Sequence, residues 1–274
     1  MLAMQRQELQ KIAEGREAEM FAWEEGTILR LLRDPGAQQR NEWQAAAIEA
    51  AASSGVRVPA VYGSKTVMGR PGLIMERIEG TDLLTLIGRR PWTVFRAGRI
   101  SGEAHAKLHE ARAPDTIPDL KGRLRAGIQS VGVLPKRLAE FTLEVLEGLP
   151  DGDRLCHGDF HPGNIMMAGA TPVLIDWTGA MRGDPAADVA RTRLLLRIGE
   201  PPPGTSAALR VMSRFGRSIL VSLYLRSYRR RRPLDMTDVG RWEIPVAAAR
   251  LGDGIKEETP SLISMLEKAY GRTG

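Results

Sequence analysis

Two carboxylates and an amide, closely spaced, are the residues of this chain best suited to chemistry: Asp159, Asn164 and Asp176. Asp159 and Asn164 lie in Leu155-Cys156-His157-Gly158-Asp159-Phe160-His161-Pro162-Gly163-Asn164-Ile165, and Asp176 ends the apolar run Val173-Leu174-Ile175 just before Trp177. Transfer of a phosphoryl group to a hydroxyl needs a carboxylate that receives or orients the hydroxyl proton, and oxygen ligands that hold magnesium against a triphosphate. Asp159 supplies the first, Asn164 and Asp176 the second. The Asp-x4-Asn spacing is that of a kinase catalytic loop, and an Asp at a strand end is the second half of that pattern. Pro162-Gly163 provides the turn that brings Asn164 back toward Asp159.

The four histidines, His105, His109, His157 and His161, allow a rival chemistry. His105 and His109 are one helical turn apart, and His157-x-Asp159-x-His161 has the look of a hydrolase metal set, so a zinc hydrolase is the alternative enzyme class. It leaves Asn164 and Asp176 idle and offers no Glu between the helix histidines as base. A non-catalytic nucleotide-binding module is the third reading. Cys156, the single cysteine, reads as a buried and inert thiol, and a disulfide scaffold is excluded.

The elements that must position these groups fall into two parts. Short apolar runs at 20–23 and 27–32 flank the turn Glu24-Glu25-Gly26. An alanine-rich helix over 41–52 follows, and then strands near 60–62 and 73–78. This pattern predicts a five-stranded antiparallel sheet with one inserted helix. After Gly80, helical periodicity takes over at 92–110, 135–146, 188–198, 206–228, 239–250 and 260–270, interrupted by a compact strand-and-loop region over 154–176. The expected class is α+β, with a β-rich lobe, a hinge near 76–80, a helical lobe, and a linker at Pro201-Pro202-Pro203-Gly204.

At the His-Gly-Asp-x-His-x-x-Asn loop and the Ile-Asp-Trp that follows it, the chain resembles the aminoglycoside phosphotransferase and choline kinase family. Leu108-His109, Gly183-Asp184-Pro185-x-x-Asp188, Val58-Pro59-Ala60-Val61 and the connector from Met75 to Gly80 extend the resemblance over most of the chain. The resemblance implies a bilobal protein-kinase-like fold, with residues 1–79 as nucleotide-binding lobe and 80–274 as catalytic and acceptor-binding lobe. It implies ATP or GTP with Mg2+ as cofactors and a small-molecule hydroxyl compound as acceptor. Asp159 becomes the catalytic group, Asn164 and Asp176 the metal ligands, and the backbone of Met75, Arg77 and Ile78 the purine contact. Such kinases carry a Lys on the third strand, and here Arg30 stands there, so Arg30 is the expected phosphate group, with Glu42 its expected partner and Glu49 the next choice. Lys65 is the substitute for Arg30. Asp184 and Asp188 read as a helix cap and a loop anchor. Tyr224, Trp242, Glu243, Asp253 and Glu257 would suit a cationic acceptor.

With 43% hydrophobic and 26% charged residues, the 274-residue chain can bury a core, which rules out a wholly disordered protein. No apolar run approaches a membrane span and the first residues lack a signal-peptide core, so a cytoplasmic location is expected. The net charge of +6 raises nucleic acid as a partner. No nucleic-acid motif accompanies the basic run Arg226 to Arg232, which reads instead as a solvated helix end, and no nucleic-acid partner is expected.

Overall fold

The computed structural model describes residues 9–15, 17–198 and 207–272, with side chains of 207–215 excepted. Strands β1 (Lys11–Glu14), β2 (Ala18–Ala22) and β3 (Thr27–Leu32) form consecutive antiparallel hairpins; helix α1 (Gln38–Ser53) crosses over, and β4 (Val61–Val67) and β5 (Arg70–Glu76) complete the sheet in the order β1-β2-β3-β5-β4. The β2–β3 turn is closed by the Glu24 N–H donating to Thr27 Oγ1 at 2.9 Å. In β3 the side chains of Leu29 and Leu31 are buried in the ladder with β2 and β5, and Arg30 takes the opposite face, as period-two alternation requires.

Past the connector at 77–80, whose Arg77 N–H donates to Gly26 O, come β6 (Thr81–Asp82), α2 (Leu83–Arg89), α3 (Val94–Leu108), α4 (Leu120–Ser130) and α5 (Lys136–Glu147). The strands β7 (Arg154–Cys156), β8 (Ile165–Ala168), β9 (Thr171–Leu174) and β10 (Met181–Gly183) follow, and then α6 (Pro185–Ile198), α7 (Ala207–Arg231), α8 (Met236–Arg250) and α9 (Thr259–Tyr270). A second sheet has the order β6-β8-β9, and β7 pairs with β10. One hydrophobic core runs from Ala47 and Ile48 of α1 through to Leu266 of α9. This is the expected α+β, bilobal kinase-like architecture.

Two helices escape the periodicity. Helix α4 carries Gly122 and Gly127, poor helix formers, yet it is capped by Asp119 accepting the Gly122 N–H at 2.7 Å and buries Leu120, Leu124 and Ile128 at i, i+4, i+8. Burial outweighs propensity there. Helix α2 is only 7 residues long and depends on its Asp82 cap. Helix α6 starts at Pro185, three residues before its apolar pattern becomes visible, because proline suits the first turn. The Pro201–Gly204 linker lies outside the described residues. Helix α7 ends at Arg231 with Arg226 and Arg229 to Arg231 exposed, the solvated end expected.

Helices α3 and α7 approach closely because of Gly102: a Cβ there would lie 2.3 Å from Tyr224 O. This contact sets His105 and His109 of α3 beside Tyr224 and Tyr228 of α7.

Candidate active site

Strand pairing brings the two functional loops together. The segment 157–164 joins β7 to β8, and 175–180 joins β9 to β10. Because Ile165 pairs with Leu174 and Cys156 with Met181, the loops leave adjacent strands side by side. At their contact Gly158 has φ +75, and a Cβ would sit 1.9 Å from Gly179 O, so any other residue would force the loops apart. The Ile175 N–H donates to Asn164 O at 3.0 Å, which ties Asn164 to the residue preceding Asp176.

Asp159 is partly exposed, with His161 Nε2 3.6 Å from Oδ2 and Arg191 Nη2 3.9 Å from Oδ1. Burial works to raise its pKa, but the His161 hydrogen bond and the charges of His161, Arg191 and His157 outweigh it and hold the carboxyl down at about 2. Asn164 is buried and its Nδ2 donates to Asp159 O at 2.8 Å and Oδ2 at 3.3 Å, leaving Oδ1 as the free ligand atom. Asp176 is exposed in a left-handed conformation (φ 59), and Oδ1 accepts the Thr178 hydroxyl at 2.7 Å. An amide oxygen and two carboxylates are hard oxygen donors of the kind Mg2+ takes, so the residues present fit that ion.

Beneath the loop lies a buried network centred on Asp188 of α6. Its Oδ2 accepts the His157 N–H (2.5 Å) and its Oδ1 the Gly158 N–H (3.0 Å). The Nε2 atoms of His105 (3.0 Å) and His109 (3.3 Å) also donate to Oδ2, and their Nδ1 atoms accept the hydroxyls of Tyr224 (2.8 Å) and Tyr228 (2.6 Å). Burial opposes the Asp188 charge, yet His105 and His109 hold its pKa well below the usual carboxylate range. Burial, with His109 adding to it, pushes His105 down to about 3, so its imidazole is neutral. Phe160 stacks on His105 with ring centroids 3.8 Å apart. Asp188 is thus the loop anchor expected, and Asp184 caps α6 by accepting the Ala186 N–H at 2.8 Å.

The model of the phosphotransferase enzyme family (APH) matches residues 8–234, more than four-fifths of the chain. The chain belongs to that family. This phosphotransferase uses a hydroxyl group as acceptor. Among solved structures it is similar to a thermostable mutant of aminoglycoside phosphotransferase APH(4)-Ia in ternary complex with AMP-PNP and hygromycin B (17% identity, 96% of this chain and 92% of that one, TM-score 0.66). It is also similar to amicoumacin kinase hAmiN with AMP-PNP, Ca2+ and Ami (14%, 98% and 90%, 0.65) and to the GDP and kanamycin complex of APH(2")-IIia (17%, 98% and 94%, 0.59). At these identities the likeness is one of fold. No curated protein matches.

Within this phosphotransferase the structure relocates several expected residues. Glu42 is exposed on α1 and makes no ion pair with Arg30 among the described residues, and Glu49 is exposed too. The polar side chains on the buried face of α1 are Asn41 and Gln44, which with Ile48 and Ala51 form an i, i+3, i+7, i+10 stripe that was open to reading from the sequence. Arg30 is 4% exposed, and it lines the same cavity as Gln44, Trp177 and Thr178. Burial lowers the Arg30 pKa against the attraction of Asp176 and Glu17. Lys65 instead lies over the Trp23 ring, 4.8 Å from its centroid.

In the connector, Met75 has its side chain in the core and Arg77 is exposed. Neither the N–H nor the C=O of Ile78 has a partner among the described residues. The His157-x-Asp159-x-His161 set is not assembled for zinc: His157 is buried, with Nε2 donating to Ile175 O and Nδ1 accepting the Asp159 N–H. Cys156 is buried and its pKa is raised well above normal by burial, so the thiol is inert.

The five residues expected to hold a cationic acceptor are not gathered into one open pocket, and Glu257 is exposed. Tyr224 and Trp242 are fully buried, Glu243 is buried against Arg193, and Asp253 pairs with Arg250 and Arg191. Arg191, between Asp159 and Asp253, is the neighbour that sequence reasoning missed. It sits one turn past Asp188 on α6, and only the fold turns it toward the loop.

Proposed function

We propose that this phosphotransferase is a small-molecule kinase that moves the γ-phosphoryl group of ATP or GTP, held with Mg2+, onto a hydroxyl of its acceptor. The observation that carries the reading is the convergence of Asp159, Asn164 and Asp176 on two loops fixed by adjacent strands. Residues 1–79 are read as the nucleotide lobe and 80–274 as the catalytic and acceptor lobe, with the free Ile78 backbone groups offered to the purine. Asn164 Oδ1 and the Asp176 carboxylate are the Mg2+ ligands. The ion would neutralise charge on the triphosphate.

With a pKa of about 2, Asp159 is a weak base. A loose phosphoryl-transfer transition state asks little of a base until late, so the carboxylate serves chiefly to hold the acceptor O–H in line and takes its proton as the new bond forms. Arg30 places a permanent positive charge at the phosphate end. Hydrogen bonds from Asp188 to the 157 and 158 amides fix the loop in advance, so positioning supplies most of the rate.

The relatives in complex with hygromycin B, kanamycin and amicoumacin suggest polyhydroxylated antibiotics as the first acceptors to try. Coupled ADP or GDP release, measured with Mg2+ over a panel of hydroxyl compounds, tests the reading. Acceptor-dependent release that disappears in Asp159→Asn supports it, and release that persists in that variant refutes it.

A further inference from the structure

The cavity between the start of α1, β3 and the turn Trp177–Gly179 has a volume of about 380 Å³ and is walled by three guanidinium groups, those of Arg30, Arg40 and Arg123. Two side chains in its wall are more than nine-tenths buried and unpartnered: Arg30 through Nη1 and Gln44 through Oε1. The first turn of α1 adds N–H groups that no side chain caps, with no acidic residue among them. Opposing charge comes from Glu17, which attracts Arg30 and Arg123 as well as Arg40, and from Asp176, which attracts Arg30. Glu17 is 3.5 Å from Arg40, and Asp34 is turned to the Gly36 N–H at 2.9 Å. Arg123 has no ion pair among the described residues.

A buried guanidinium N–H and a buried amide oxygen left without partners each cost free energy, so the pair calls for one ligand that accepts from the first and donates to the second. Chloride and sulfate accept only. Monohydrogen phosphate does both: three oxygens accept from arginines and helix amides, and its P–OH donates to Gln44 Oε1.

We infer that this cavity is a binding site for a singly protonated phosphate group, either free inorganic phosphate or the terminal phosphate of the nucleotide. Arg40, Arg123 and Gln44 are then ligand-binding residues in addition to Arg30. Gln44 is the neutral side chain that the buried face of α1 brings to this cavity, while Glu42 and Glu49 are exposed, so α1 adds no carboxylate to it. Binding of phosphate stands without the kinase reading; only the nucleotide as its source rests on that reading.

The test is titration of sodium phosphate into the full chain at constant ionic strength, read by calorimetry and by tryptophan fluorescence, since Trp43 and Trp177 line the cavity. Saturable binding is expected, weaker for sulfate. Arg123→Gln should bind phosphate about tenfold or more weakly, the loss of one charge-assisted hydrogen bond, with an unchanged melting temperature, while Arg89→Gln on an exposed site should match wild type. If saturating Mg-AMP-PNP abolishes phosphate binding, the nucleotide supplies the group; if affinity is unchanged, free phosphate does. A response that does not saturate, equal response to chloride, or equal affinity in Arg123→Gln and Arg89→Gln overturns the inference. Nucleotide binding without phosphate binding would sink it and leave the kinase reading standing; phosphate binding without acceptor-dependent turnover would do the reverse.

Discussion

Replacing Asp188 with asparagine exchanges one oxygen for an NH2 group and should disable the catalytic loop. The carboxylate accepts four hydrogen bonds, from the His157 and Gly158 amides and from the Nε2 atoms of His105 and His109. An amide has one acceptor oxygen and an NH2 group, and whichever way it is turned the NH2 faces donors. With the amide oxygen in the Oδ2 position the Gly158 bond is lost and the other three lose their charge assistance, and with it in the Oδ1 position three of the four are lost, in a site with no exposed surface. Charge-assisted bonds of this kind contribute roughly 1.5–3 kcal/mol each, so the Gly158 bond alone removes about that much, a sizeable share of the roughly 5–15 kcal/mol that holds an ordinary domain folded. Urea unfolding should show that loss as a lowered midpoint at similar slope. Turnover per folded molecule should also drop about a hundredfold or more, because the 157 and 158 amides lose the anchor that sets Asp159 in line. Asp188→Glu, which keeps the charge but lengthens the side chain, should recover part of the stability and less of the activity. An Asp188→Asn protein within about 1 kcal/mol of wild type and with normal turnover would refute the idea that this carboxylate positions the loop.

Three further outcomes follow from the same geometry. Asp159→Asn should lower turnover by about two to four powers of ten while MgATP affinity by calorimetry stays near wild type, whereas Asp176→Asn should weaken both; equal loss of affinity in the two variants would overturn the division of roles. Stability should fall as pH drops below about 6.5. His105 is held at about 3 in the folded chain and ordinarily titrates near 6.5, so the unfolded chain binds the extra proton in that window. The slope from this group is about 1.4 kcal/mol per pH unit, and flat urea midpoints between pH 7 and pH 5 would contradict it. Treatment with EDTA should leave the melting temperature unchanged: His105, His109 and Asp188 lie close enough to share an ion, but their ligand atoms are taken up by one another, the two tyrosines and the loop amides. A drop of several degrees would show that a metal holds the cluster.

The candidate groups for the chemistry were legible in the sequence because they are local. Asp159, Asn164 and the turn between them fall within six residues, and Asp176 follows an apolar strand, so spacing alone picked out the loops that the fold brings together. The sheet and most helices were legible for the same reason, since periods of 2 and 3.6 are properties of short windows. Asp188 could be named as an anchor, but not what it anchors.

What needed the tertiary structure were the contacts made across it. The Cys156–Met181 and Ile165–Leu174 pairings set the two loops side by side, and the close approach at Gly102 brought α3 and α7 together around Asp188. On α1, Glu42 is the acid and so the natural guess, yet a helix presents one face inward, and the packing of Ile48 and Ala51 chose the face with Asn41 and Gln44. Rotation of a helix about its own axis is set by what it packs against. Composition says nothing of it, and for that reason the cavity that Arg30 lines received an amide from α1 where a carboxylate was expected.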